Sequence, residues 1–245
     1  MKNYKPLHGI LTRPEMRCDS AMVRECQKNY KDFTFDEKSK ILDLGGNIGS
    51  FGYIALKNGA RPENYTAFEP DQENLKLLRL NTHENANLIA GVVTMEKDPT
   101  LTFYQTKSSN SACSGTATIG SSLARSQRKV LWTTTNYYFP EVLEKYKPTH
   151  LKVDIEGGED AWLRECRGVM PKYVEQFAIE LHWKSTIQFF EDECINNILK
   201  DFDLVRVKEN VGFVNQSKDK WNYPKIGVSC HGVLYGIDLF FRRKK

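Results

Sequence analysis

The chain contains no run of about eighteen apolar residues, and its opening stretch, MKNYKPLHGILTRPEM, lacks a sustained apolar core. Neither a membrane-spanning helix nor a secretory leader is expected, so the sequence reads as that of a soluble, cytoplasmic protein. Of its six cysteines (Cys18, Cys26, Cys113, Cys166, Cys194 and Cys230), no two have C-x-x-C spacing. That excludes the usual zinc and dithiol motifs and suits free thiols in a reducing compartment. A strong charge of one sign is also missing. The net charge is +4, and the basic clusters, Arg125 with Arg128 and Lys129 and then Arg242 to Lys245, are short enough to be solvated surface. No RNA-binding module or aromatic-rich basic stretch is present, which argues against a nucleic-acid partner. With no internal repeat, no Gly/Ser-rich linker, 245 residues and 40% hydrophobic content, one well-cored α/β domain is expected over 38–245. Residues 1–37 are read as an N-terminal helical extension, with a helix over Pro14 to Tyr30 that covers a ligand, mediates a homodimer or simply packs.

What is present is organised around Lys40 to Phe51, KILDLGGNIGSF. An apolar run ends in a glycine-rich turn from which a helical pattern starts, so it reads as strand, tight turn, helix. The first N–H groups of a helix lack intrahelical partners, and glycine lets a ligand come close to the backbone, so the turn suits a nucleotide-like group. The dinucleotide fingerprint G-x-G-x-x-G does not fit, because the third position is Asn47 counting from Gly45 and Ile48 counting from Gly46. Asp43, two residues before the first glycine, would repel a phosphate and favour a cationic ligand. The stretch Asp43 to Gly49 resembles the D-x-G-x-x-x-G first motif of class I S-adenosylmethionine (SAM) methyltransferases. That assigns Asp43, Gly45, Gly46, Asn47, Gly49 and Ser50 to the cofactor.

Downstream, strand and helix patterns alternate with short connections, predicting a mostly parallel, doubly wound sheet. Helix over Ser50 to Asn58 stops at Gly59. A strand over Tyr65 to Phe68 leads into Glu69-Pro70-Asp71 and a helix over Gln72 to Glu84, and a third strand is predicted over Asn87 to Met95. An acid ending the second strand accepts hydrogen bonds from ribose hydroxyls in such folds, which gives Glu69 that role and places Pro70 beside it. The small, polar stretch Lys107 to Ser122 reads as a substrate loop or as a merely flexible insertion. Two later strands end in acid: His150 to Glu159, with Asp154 and Glu156, and Gln176 to Trp183, with Glu180 and His182. By strand period, Phe177, Ile179 and Leu181 share one face, and Ala178, Glu180 and His182 the other. Acid gathered at the carboxyl ends of strands is costly unless a cation, a proton or a substrate hydroxyl uses it.

Taken together, ILDLGGNIGSF, YTAFEPDQENLKLLRLN and LKVDIEGGE, followed by the IELHW strand, resemble the FkbM family of SAM-dependent methyltransferases over roughly Phe35 to Leu204. The resemblance implies a Rossmann-like, seven-stranded class I fold. It also implies O-methylation of a sugar, glycan or other small natural product, with SAM as cofactor and S-adenosylhomocysteine as product, and a glycosyltransferase as a candidate associate. An alcohol needs its proton removed, which gives His182 the role of base beside Asp154, Glu156 and Glu180. A divalent metal held by Asp154, Glu180 and His182 is permitted but not required. The alternatives are an RNA methyltransferase and a non-catalytic SAM-binding partner of a glycosyltransferase.

Overall fold

The computed structural model describes residues 4–106, 114–116, 128–155, 159–182, 193–212, 220–223, 228–231 and 233–245. The chain opens with a hairpin of β1 (Lys5–Leu7) and β2 (Ile10–Thr12), followed by α1 (Arg17–Asn29). The alternating part runs β3 (Ile41–Leu44), α2 (Ser50–Lys57), β4 (Tyr65–Glu69), α3 (Gln72–Asn81) and β5 (Asn87–Ala90). Then come β6 (Val92–Thr94), β7 (Thr100–Thr106), β8 (Ser114–Thr116), β9 (Arg128–Tyr138) and α4 (Phe139–Tyr146). The chain continues with β10 (His150–Val153), α5 (Glu159–Cys166), β11 (Gln176–His182), α6 (Ile195–Asp201) and β12 (Phe202–Gly212). It ends with the β13 (Lys220–Tyr223) and β14 (Val228–His231) pair and β15 (Val233–Arg243).

The seven-stranded sheet has the order β5-β4-β3-β10-β11-β15-β12. Numbered by appearance within the sheet, this is 3-2-1-4-5-7-6. All neighbours are parallel except the last-formed strand, β15, which is antiparallel to both β11 and β12. The fold is the expected α/β, mostly parallel, doubly wound sheet. Both faces are covered, as the apolar strands require. Leu42, Leu44, Phe177, Ile179, Leu181 and Leu239 face one core, which α4, α5 and α6 close with Phe139, Val142, Trp162, Leu163 and Ile195. Ile41, Tyr65, Ala67, Ala178 and Phe240 face the other, closed by Phe51 and Ala55 of α2, Leu75 and Leu78 of α3, and Cys26 and Tyr30 of α1. The period-two reading of β11 therefore holds for Phe177, Ala178, Ile179 and Leu181.

Three departures from the sequence reading have local causes. The strand expected over Asn87 to Met95 is broken at Gly91, whose φ of +152° turns the chain out of the main sheet. β6 then pairs with β9 in a four-stranded sheet, β6-β9-β7-β8. The stretch expected as a substrate loop contains β8, and its other residues, 107–113 and 117–122, lie outside the described ones. The N-terminal segment is not purely helical. Its hairpin is fastened to α3 by Asn81, whose Oδ1 accepts from Leu11 N–H (2.6 Å) and whose Nδ2 donates to Leu11 O (2.9 Å) and Ile48 O (2.7 Å). Each buried group left without a partner costs about 1–3 kcal/mol. Asn81→Ala should thus lower urea-measured stability by at least that amount and expose residues 5–12 to proteolysis before the sheet.

Candidate functional site

The glycine turn leaves β3 with Gly45 at φ +84°, Asn47 at +48° and Gly49 at +89°. A side chain at Gly45 would be strained, and its Cβ would lie 1.9 Å from the Asp154 carbonyl oxygen. A Cβ on Gly46 would press on Leu78 and Ala67, and one on Gly49 on Leu78. Each glycine is fixed by what packs against it. The Gly45 and Gly46 N–H groups donate to Phe68 O at 3.1 and 2.9 Å, hanging the turn from the end of β4.

Glu69 ends β4 buried, and Pro70 after it is buried too. Its carboxylate accepts from Asn47 N–H (2.8 Å) and Asp71 N–H (2.9 Å), with Asn74 Nδ2 at 3.3 Å. The acid assigned to the ribose therefore also braces the turn. Burial pushes the Glu69 carboxyl up to about 7, against the pull of the Asp71 and Asn47 amides. Asp71 caps α3 by accepting from Glu73 and Asn74 N–H, as an acid at that helix start should.

Asp43 does not face the turn's open side. It is fully buried, with Oδ2 accepting from Tyr65 O–H (2.6 Å) and Oδ1 from Lys152 Nζ (3.0 Å). Sequence reasoning missed Lys152, which sits in register opposite Asp43 on β10. Its ammonium also donates to Gly45 O (2.8 Å) and lies 3.6 Å from Asp154 Oδ2. Burial opposes that charge, but Asp43 and Asp154 outweigh it and hold the Lys152 pKa above its ordinary value. The signal available was a lysine inside an otherwise apolar strand, one strand over from an acid.

Asp154 follows β10 at the same edge, its N–H donating to Leu44 O at 3.1 Å. Glu159, buried at the start of α5, accepts from Ile155 N–H (3.0 Å). Glu180 is half-buried on β11 and pairs in register with Asp238 of β15. Burial raises the Tyr30 hydroxyl well above its ordinary pKa, and Asp154, Asp238 and Glu180 raise it further, so these acids share its surroundings. His182 ends β11 at this edge, but its side chain lies outside the described residues, as does all of Glu156. Among the described residues, no group of three or more His, Cys, Asp or Glu is arranged to hold a metal. No described helix is long and apolar enough to cross a membrane.

Helix α1 lies over this edge. Met22 and Cys26 close a pocket against Gly45, Gly46, Asn47, Ser50, Lys152 and Asp154. The space is about 10 Å³, room for roughly one water. Ser50 Oγ is buried there without a hydrogen-bond partner. On the far side, α1 is latched by Asn29 Nδ2 to Asp238 Oδ2 (2.7 Å) and by Lys208 Nζ to Glu25 Oε1 (2.7 Å).

No protein-family model and no curated protein matches the chain. Similar solved structures include a putative RNA methyltransferase from Pyrococcus horikoshii, at 11% identity over 94% of this chain and 88% of that one, with a TM-score of 0.42. Another is TYW2 from M. jannaschii in complex with AdoMet, at 12% identity over 99% and 86%, with a TM-score of 0.42. A third is precorrin 8W decarboxylase from Methanobacterium thermoautotrophicum, at 13% identity over 91% and 89%, with a TM-score of 0.43. These likenesses are loose, and the fold assignment rests on the strand order and register.

Two substitutions test the electrostatics. Lys152→Met leaves Asp43 buried without its counter-ion, and urea unfolding should show a loss of about 3–5 kcal/mol. Glu69 keeps its proton in the folded chain where the unfolded chain has lost it. The stability this contributes is full below about pH 4.5 and is lost as pH rises to about 7. Glu69→Gln should remove that part of the pH dependence, while its amide nitrogen forfeits one of the two backbone hydrogen bonds at every pH.

Proposed function

We propose that the chain is a SAM-dependent methyltransferase that methylates a hydroxyl of a sugar, glycan or other small natural product. The observation that carries this reading is Ser50 Oγ, a buried hydroxyl without a partner at the start of α2. It is set in a glycine turn that has no room for side chains and is tied to the acid ending β4. A desolvated hydroxyl is costly unless a ligand satisfies it. The sheet supports the same reading, since open α/β sheets bind ligands at the carboxyl ends of their strands. Its order extends the dinucleotide order 3-2-1-4-5-6 by an antiparallel strand between the fifth and sixth.

Asp43 cannot itself meet a cationic ligand, because it is buried against Lys152, whose ammonium also lies 3.6 Å from Asp154. Gly45, Gly46, Asn47 and Ser50 would hold the amino-acid end of the cofactor, and Glu69 its ribose. The cofactor supplies an activated methyl on a sulfonium. The chain's task is to align an acceptor hydroxyl and take its proton, which we assign to His182 at the end of β11. Because Met22 and Cys26 fill the space over the turn, binding requires α1 to move away from it.

Calorimetry with S-adenosylhomocysteine and NAD should show binding of the first alone. Ser50→Ala should weaken it by about two- to tenfold, the worth of one hydrogen bond, while urea stability stays within roughly 0.5 kcal/mol of the parent. Binding of NAD without S-adenosylhomocysteine would defeat the reading. Labelled SAM offered with glycans and with structured RNA then identifies the acceptor class, and methylated RNA with unlabelled glycans would overturn the glycan assignment.

A further inference from the structure

Away from the glycine turn, a groove of about 740 Å³ opens between the outer edge of the seven-stranded sheet and the four-stranded one. That volume is in the range of small-molecule pockets, roughly 300–1,000 Å³. It shares no lining residue with the closed space beneath α1. Phe68 forms its floor with Ile89 and Val142. Tyr137 and Tyr146 stand steeply to the Phe68 ring, at 66° and 77°, with centroids 5.1 and 6.1 Å away. The result is an aromatic floor with two upright aromatic walls, and Tyr138 lies alongside.

Aromatic faces carry negative potential and attract cations. The chain's own ammonium groups already respond to it, with Lys97 Nζ 5.4 Å from the Tyr138 ring centre and Lys145 Nζ 4.9 Å from that of Tyr146. Both lysines are exposed and can be displaced into water. Three exposed carboxylates, Glu96, Asp98 and Glu141, line the same groove, so among the described residues its rim carries three negative charges against two positive in a chain of net charge +4. One side of the rim is held in shape by Asn136, whose Nδ2 donates to Glu96 O and Asp98 O, both at 2.8 Å, while its Oδ1 accepts from Thr94 O–H at 2.9 Å.

We propose that this groove binds an organic ammonium ion, a quaternary or methylated amine, with its alkyl groups against Tyr137 and Tyr146 and its charge balanced by Glu141, Glu96 and Asp98. A bare phosphate or nucleic acid has the wrong sign for this rim. A neutral sugar can donate hydroxyls to these carboxylates but brings no charge to balance them. The ligand displaces Lys145 from the Tyr146 ring, so that lysine acts as an internal competitor. The assignment is independent of the methyltransferase reading, because the ligand differs and only Phe68 touches both places, with its ring here and its carbonyl at the glycine turn.

The test titrates the full chain with choline and with 3,3-dimethylbutanol, its uncharged analogue of the same shape, followed by NMR chemical shifts. Choline should saturate the groove and bind about tenfold more tightly than the alcohol. Glu141→Gln should weaken choline by about two- to fivefold, and Lys145→Gln, which removes a competitor, should tighten it by a similar factor. Both positions are exposed, so folding is not at issue. Equal binding of choline and the alcohol, no choline shifts up to about 20 mM, or indifference to both substitutions would each overturn the proposal. A trimethyllysine peptide in a further arm separates the sources. Tighter binding than choline marks a protein-borne ammonium, weaker binding a free one, and both outcomes keep the ammonium assignment.

Discussion

The ammonium of Lys152 is the interaction on which the rest of the candidate site depends. It is buried at the centre of the sheet, and it joins an acid on β3, the first carbonyl of the glycine turn and the acid that follows β10. Removing Lys152 or Asp43 would leave the other as a charge in an apolar interior, which costs far more than a surface ion pair gains. The arrangement also fixes register. A slip of one residue between β3 and β10 would turn Asp43 and Lys152 to opposite faces and place both charges against hydrophobic side chains. The pair thus specifies the alignment of the two strands whose ends build the site.

Much of this could be read from the sequence, and the limits have physical causes. The glycines, Asn47, Ser50 and Glu69 were legible because a strand-to-helix turn is a local object whose spacing is written in consecutive residues. The doubly wound sheet was legible because both cores need apolar strands. Lys152 was not, since it stands in an apolar run where only its partner on a neighbouring strand, 109 residues away, gives it meaning. Asp43 was recognised as part of the site but its partner was not, and its charge was therefore assigned to a ligand. Gly91 was hidden for a related reason: either side of it reads as strand, and only the φ of +152° separates a strand of the main sheet from one of the small sheet.

The N-terminal segment shows how tertiary context converts an ambiguous helix into part of the site. The sequence allowed it to cover a ligand, to pair with another copy or to pack. In the structure Val23 joins Ile10, Ile48 and Leu77 in one cluster, while Cys26 and Tyr30 enter the core that covers one face of the sheet. Met22 and Cys26 then fall directly over the glycine turn. Burial raises the Cys26 thiol well above its ordinary pKa, so it fills space there as a neutral group.

The two walls of that closed space differ in what it would take to move them. The turn is set from three directions, by the Asp154 carbonyl against Gly45, by Leu78 against Gly46 and Gly49, and by Glu69 and Phe68 on its amides. Displacing it would disrupt β10, α3 and β4 together. Helix α1 is held over it by the buried Val23, Cys26 and Tyr30 and by polar contacts, Arg13 with Asp19 (2.8 Å), Lys208 with Glu25 and Asn29 with Asp238, so moving it must draw those side chains out of the core. Burial raises the Asp238 carboxyl, against the pull of Lys208, so the acid under that latch is itself held at a cost. The cradle leaves the backbone that would meet the ligand already in position, and the adjustment falls on α1, whose Met22 and Cys26 cover it.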